Sequence, residues 1–151
     1  MRFDIRHDPE RAARWRASGQ WKDETLFELL SSNAATAPDK IAITDGTHSV
    51  TYHALRDMID RMAARYRTLG IGADDVVVLQ LPNWLEFAPA FFALERIGAV
   101  AVTVSTDFRV RELEYILRFS EARGIVTTGE YRGFDHLGMA LELKPHLPGL
   151  S

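Results

Sequence analysis

Val76-Val77-Val78-Leu79 is an unbroken run of β-branched and apolar residues. A run of that kind suits a strand buried on both faces of a parallel sheet, since a strand with one wet face would alternate. The flanking sequence supplies crossover helices. Upstream, Leu55, Met58, Ile59, Met62, Ala63, Tyr66 and Leu69 recur every three or four residues. Thr51 caps that helix and Gly70 suits the left-handed position after it. Downstream, Asn83 reads as the cap of a helix over Trp84 to Ile97, with Glu86 at its positive end and Gly98 as its stop. That helix is apolar nearly all round, which predicts burial, and Pro89 inside it predicts a kink or a locally widened turn.

The alternation continues. Ala99 to Val104 reads as a second buried strand, and Val110, Leu113, Ile116 and Leu117 mark another helix. Gly124-Ile125-Val126-Thr127 is a third strand, Phe134 to Leu143 a last and weaker helix, and Pro145 and Pro148 close the segment. Strand and helix alternating at short spacing imply right-handed βαβ crossovers and a parallel sheet. The fold class is therefore α/β, a Rossmann-like three-layer arrangement.

Two features precede this unit. A helical arm starts with Asp8 as cap and Pro9 in the first turn, and Gly19 ends it, with Trp15 and Trp21 placed to anchor it to a larger surface. A second helix starts at Thr25, where Glu28 completes a capping box, with Leu26, Leu29, Leu30 and Ala34 as its apolar face and Pro38 as its stop. Ile41 to Thr44 and His48 to Thr51 form a hairpin around Asp45-Gly46.

The chain has 151 residues, 46% hydrophobic and 26% charged, enough for one domain with a real core. Its net charge of -3 gives no broad basic surface for nucleic acid. With no cysteine, disulfides, thiolate metal sites and cysteine catalysis are excluded. No apolar run approaches the ~20 residues that span a bilayer. Residues 1–16 are arginine-rich but broken by Asp4, Asp8 and Glu10, with no apolar h-region. The expectation is a soluble, cytoplasmic chain.

Candidate sites are few. Gly70-Ile71-Gly72 follows a helix and precedes a strand, whereas a nucleotide loop needs strand, glycines, then a helix N-terminus. It reads as a helix stop. His7, His48, His53, His136 and His146 offer no pair three or four apart, so they read as surface or hairpin residues and no metal site is assigned. Glu114 and Arg118 are spaced to pair on a solvated helix face. Asn83-Trp84-x-Glu86 carries two readings. One is a helix start and nothing more. The other puts Asn83 and Trp84 at the edge of a substrate pocket, since ligands of open α/β sheets bind at the carboxyl ends of the strands.

Several segments, in order, resemble one family. They include Trp21 to Leu26, Pro38 to Ile43, Val50 to Leu55, Leu81 to Phe87, Gly98 to Val104, Arg111 to Leu117, Tyr131 to Asp135 and Leu147 to Leu150. Together they resemble the opening of the AMP-forming acyl-CoA synthetases and adenylate-forming ligases. The nearest look is to the aryl and cyclic-acid branch, such as dihydroxybenzoate–AMP and cyclohexanecarboxylate–CoA ligases. Two positions depart from the pattern: Thr103 to Asp107 lacks the usual prolines, and Arg109 stands where a Ser or Thr cap is expected.

The resemblance implies a two-step reaction in which a carboxylate attacks ATP to give an acyl-adenylate and a thiol then takes the acyl group. It implies ATP, magnesium and coenzyme A for the full-length enzyme, and none of these bound by this chain alone. The family's phosphate-binding loop, ribose-binding aspartate and C-terminal lysine have no counterpart here, so no catalytic residue is carried over. The expected organisation is a helical arm over residues 1–20 and an N-terminal ligase subdomain over residues 21–151, stopping before the phosphate loop. Its expected partner is the remainder of the ligase, or a second copy meeting it through an apolar face of the Trp84 to Ile97 helix. The rival reading is a non-catalytic α/β module that serves another chain.

Overall fold

The computed structural model describes residues 8–150. Expectations that fall on residues 1–7, His7 and the arginine-rich start among them, and on Ser151 lie outside the described residues. The elements run α1 (Pro9–Ala17), α2 (Leu26–Thr36), β1 (Ile41–Thr44), β2 (Ser49–Thr51), α3 (Tyr52–Thr68), β3 (Val76–Gln80) and α4 (Phe87–Arg96). They continue with β4 (Val100–Thr103), α5 (Val110–Phe119), β5 (Gly124–Thr127), β6 (Glu130–Tyr131), β7 (Phe134–Asp135) and α6 (His136–Leu143), and close on a 3₁₀ turn, Lys144–His146.

β3 sits at the centre of a parallel sheet ordered β4-β3-β5. Val77 pairs with Ala101 on one side and Gly124 on the other. Every residue of β3 is buried, as its unbroken apolar run requires. Its side chains alternate between two cores. Val77 and Leu79 join Leu55, Ile59, Ala90 and Leu94 beneath α2, α3 and α4. Val76 and Val78 join Leu113, Leu117, Met139 and Leu143 beneath α5 and α6. The result is a helix–sheet–helix sandwich with an antiparallel β1–β2 hairpin beside it.

The local signals act as chemistry dictates. Asp8 accepts from the Glu10 and Arg11 N–H groups and starts α1. Thr25 and Glu28 form the reciprocal capping box of α2: Thr25 Oγ1 accepts from the Glu28 N–H at 3.2 Å, and Glu28 Oε2 accepts from the Thr25 N–H at 2.7 Å. Thr51 caps α3. Gly70, at φ 80°, takes the left-handed position that ends α3.

Several expectations are corrected. α4 begins at Phe87 rather than Trp84, so Asn83 caps nothing, and Glu86 occupies the cap position without a side-chain bond. Pro89 causes no kink. It is the third residue of α4, where its missing N–H is one of the donors a helix start leaves unpaired anyway. Within α4, Ala90, Ala93 and Leu94 have no exposed surface beneath α2 and α3, while Phe87, Phe91 and Phe92 are half-buried. On α2, by contrast, Leu26 and Leu29 face solvent and only Leu30 and Ala34 are buried.

The second strand, β4, is half-buried rather than buried, because it is an edge of the sheet. Finally, Phe134 and Asp135 belong to a strand, not a helix. Tyr131-Arg132-Gly133-Phe134 makes a tight hairpin with Arg132 and Gly133 both at positive φ (51° and 73°), the signature of a primed two-residue turn. α6 starts only after it, capped by Asp135.

Candidate functional site at the carboxyl edge of the sheet

β3, β4 and β5 are parallel, so their carboxyl ends lie along one edge. Beyond β3 the chain runs through Leu81, Pro82, Asn83 and Trp84 before α4 can begin. Beyond β5 it runs through Thr128 and Gly129 into the β6–β7 hairpin. Between these exits is an open cleft of about 330 Å³, lined by Met62, Leu81, Trp84, Glu86, Ala90, Val126, Thr127 and Thr128. Its walls are mostly apolar, with two hydroxyls and one carboxylate. Among the described residues no Lys, Arg or His lines it.

Of the two residues singled out from the sequence, Trp84 lines the cleft, half exposed, with its ring edge-on to Tyr131 at 5.4 Å. Asn83 is exposed beside it and is not among the lining residues.

An aromatic chain extends from Trp84 along the edge. Tyr131 lies 6.4 Å from the His136 ring, Phe134 packs edge-on to His136 at 4.9 Å, and the Arg109 guanidinium lies 4.0 Å over Phe134. His136 is almost fully buried, which corrects its reading as a surface residue, and its Nδ1 has no partner. Burial, and then the positive charge of Arg109, hold its pKa below the ordinary histidine value.

Gln80 organises the edge from below. Its side chain is wholly buried, and its Nε2 donates to the carbonyls of Ser105 and Phe108, both at 3.1 Å. Thr127 Oγ1 donates to the Gln80 carbonyl at 3.3 Å. One residue thus ties the exits of all three strands together. Arg109, which stands at the cap position of α5, donates from its guanidinium to the carbonyls of Thr106 (2.8 Å) and Phe108 (3.1 Å). Its own N–H is taken by Glu112, so the helix start is satisfied without a Ser or Thr.

Other motifs resolve elsewhere. In Gly70-Ile71-Gly72 each N–H is already used, donating to Arg67 O, Tyr66 O and Asp75 Oδ2 respectively, which leaves none for a phosphate. Glu114 and Arg118 form the expected exposed pair. Among the described residues no group of three or more His, Asp or Glu could hold a metal ion, and no helix is long and apolar enough to cross a membrane.

Sequence reasoning passed over Gln80, Thr127, Thr128 and Tyr131. The edge rule that drew attention to Asn83 and Trp84 applies equally to the residues ending the other strands.

The chain as a whole is similar to known proteins. The chain is 40% identical, over 94% of its length, to the 2,3-dihydroxybenzoate-AMP ligase of Bacillus subtilis, and covers 26% of that protein. It is 40% identical, over 93% of its length, to the salicyl-AMP ligase / salicyl-S-ArCP synthetase of Mycobacterium tuberculosis, again covering 26% of it. The apo structure of MbtA from Mycobacterium smegmatis superposes with a TM-score of 0.86 at 39% identity, over 95% of this chain and 26% of that one. The chain therefore spans about a quarter of the length of these relatives. The model of the family described as AMP-binding enzyme matches residues 30–149, and with that match this chain belongs to the AMP-binding enzyme family.

Proposed function

We propose that this chain is the amino-terminal part of an ATP-dependent, AMP-forming ligase for aromatic acids, and that adenylation requires residues beyond it. The observation that supports the substrate class is the 40% identity, over nearly the whole chain, to two ligases named for dihydroxybenzoate and salicylate. The cleft is compatible with that class. Trp84 offers an aromatic face, and Leu81, Met62 and Val126 offer apolar contact, at the pocket edge where Asn83 also stands.

The same lining argues against nucleotide binding by these residues alone. Transfer at phosphorus needs cationic groups or a metal against the phosphate charge. The cleft presents one carboxylate, Glu86, and no cation among the described residues. ATP, magnesium and the thiol acceptor, coenzyme A in the resemblance, do not fit this lining. In this proposal they are held by the remainder of the ligase, and these residues supply a wall and its positioning. A cytoplasmic location is part of this proposal, and a chain without cysteine is compatible with a reducing compartment.

The test is ATP–pyrophosphate exchange dependent on salicylate or 2,3-dihydroxybenzoate. The pure 151-residue chain should show none above a heat-inactivated control. A chimera in which it replaces the matched part of the Bacillus subtilis relative should show exchange, and Trp84→Ala in that chimera should raise the KM for the aryl acid several-fold. Exchange by the chain alone would overturn the dependence on a remainder. An unchanged KM would remove Trp84 from the pocket edge.

A further inference from the structure

β6 and β7 are two residues long each and pair only with each other. A lone two-stranded hairpin is marginally stable in water, so side-chain packing decides where this one rests. Tyr131 and Phe134 supply that packing. Their rings lie 6.4 Å and 4.9 Å from the ring of His136, at the start of α6. Tyr131 also meets Trp84 edge-on at 5.4 Å, with the Arg132 guanidinium 5.2 Å over its ring. Three rings therefore run in series from α6 to the rim of the cleft: His136, Tyr131 and Trp84. His136 is tied to the other wall as well. Its backbone N–H donates to the Gly129 carbonyl at 2.9 Å, next to Thr128 in the lining.

His136 is 1% exposed, and its Nδ1 meets no hydrogen-bond partner. Nothing around it is arranged to receive a charged ring. Asp135 favours the charged form, but its carboxylate caps α6 through the Gly138 N–H at 2.8 Å. Arg109, at the start of α5, lies over Phe134 and opposes a second cation. β5 brings no charged side chain, and Glu130 and Arg132 of the hairpin are exposed. Protonation makes both imidazole nitrogens donors, one of them buried without an acceptor. An unpaired buried charge is costly, and moving the ring toward water relieves it.

We propose that His136 and Tyr131 are positioning residues for Trp84: the neutral ring of His136 holds Tyr131 edge-on to Trp84, and protonation of that ring releases the contact. The rim of the cleft is thereby set near neutral pH and loosened in mild acid. This concerns the rim whatever ligand the cleft takes, so it does not rest on the aromatic-acid reading.

NMR of the full 151-residue chain tests this, from about pH 7.5 to about pH 5.5, which spans the ordinary histidine value. The Trp84 indole N–H signal should shift with the same midpoint as the ring protons of His136, while the backbone amide signals of β3 stay in place. In His136→Phe the Trp84 signal should hold one position across the range. Tyr131→Leu should leave His136 titrating and uncouple Trp84 from it. Tyr131→Phe, which keeps the ring, should keep the coupling. A Trp84 signal that does not move with His136 overturns the proposal. So does one that still moves in His136→Phe, or that follows His136 in Tyr131→Leu as it does in the parent. A shift of the β3 amides with the same midpoint also overturns it, because the whole sheet and not the rim would then be responding.

Discussion

Beneath α2, α3 and α4 lies a closed layer: Ile59, Ala90, Ala93 and Leu94 have no exposed surface. Arginine side chains help to roof it. Arg96 pairs with Asp60 and lies 5.0 Å over the Phe27 ring, and Arg56 approaches the same ring at 6.0 Å. On the other side of the sheet α5 and α6 bury Leu113, Leu117, Met139 and Leu143, but among the described residues no further element lies above them, and Tyr115, Phe119, Leu137 and Leu141 are exposed. The two layers share one central strand, whose alternate side chains feed each. The difference lies in the third helix. A helix pair with another element laid over it can be apolar on several faces, whereas a pair covering a sheet alone must leave its outer face to water or to a partner.

Mutation can break this comparison. Ile59→Ala removes a side chain held on all sides and should cost about 4 kcal/mol, near the upper end for buried truncations. Leu117→Ala, under a two-helix layer better able to settle into the gap, should cost nearer 2 kcal/mol, the lower end of that range. Urea unfolding of both variants decides the matter; equal losses would mean that the layers pack equally tightly.

His136 sharpens the comparison through pH. Its folded pKa lies below its unfolded value of about 6.5. As pH falls, the unfolded chain therefore takes the proton first, and protonation favours unfolding. The stabilising contribution of the neutral ring is complete above the unfolded value and is lost as pH drops through the folded one. Between pH 7.5 and pH 5.5 the parent should lose stability relative to His136→Phe. Parallel urea midpoints for the two proteins across that interval would show that the ring is not held neutral by the open layer.

The smallest effect concerns a residue belonging to neither layer. Asn83 is exposed and caps no helix, so Asn83→Ala should change stability by less than about 0.5 kcal/mol. A loss of about 1 kcal/mol, the usual cost of a cap, would mean that α4 starts earlier in solution than Phe87.

The framework was readable because its signals are local. The β-branched run of β3, the periodicity of α3, the Thr25–Glu28 capping box and the Glu114–Arg118 spacing each depend on near neighbours in sequence. Failures came where one residue can serve two states. Asn83 has cap chemistry but stands in a connection, because a proline downstream decides where the helix begins. Phe134 and Asp135 have helix-compatible neighbours but are captured by the tight turn at Arg132-Gly133, whose arginine is an unusual occupant of positive φ. The place of Trp84 in the lining of the cleft was legible from its position after a buried strand. Gln80 was not, since its partners Ser105 and Phe108 lie 25 and 28 residues away and no local pattern joins them.

Pro89 has one more effect. A helix extended back to Trp84 would need an N–H from residue 89 for the carbonyl of Leu85, and proline has none to give. The residue therefore sets a boundary between two kinds of chain. Behind it the backbone is committed to α4 and to the closed layer. Ahead of it, Leu81 to Glu86 are left as a short irregular span whose length and composition can change without rotating the helix or shifting its buried face. The mouth of the cleft, with Trp84 on its rim, can thus be reshaped independently of the scaffold that carries it.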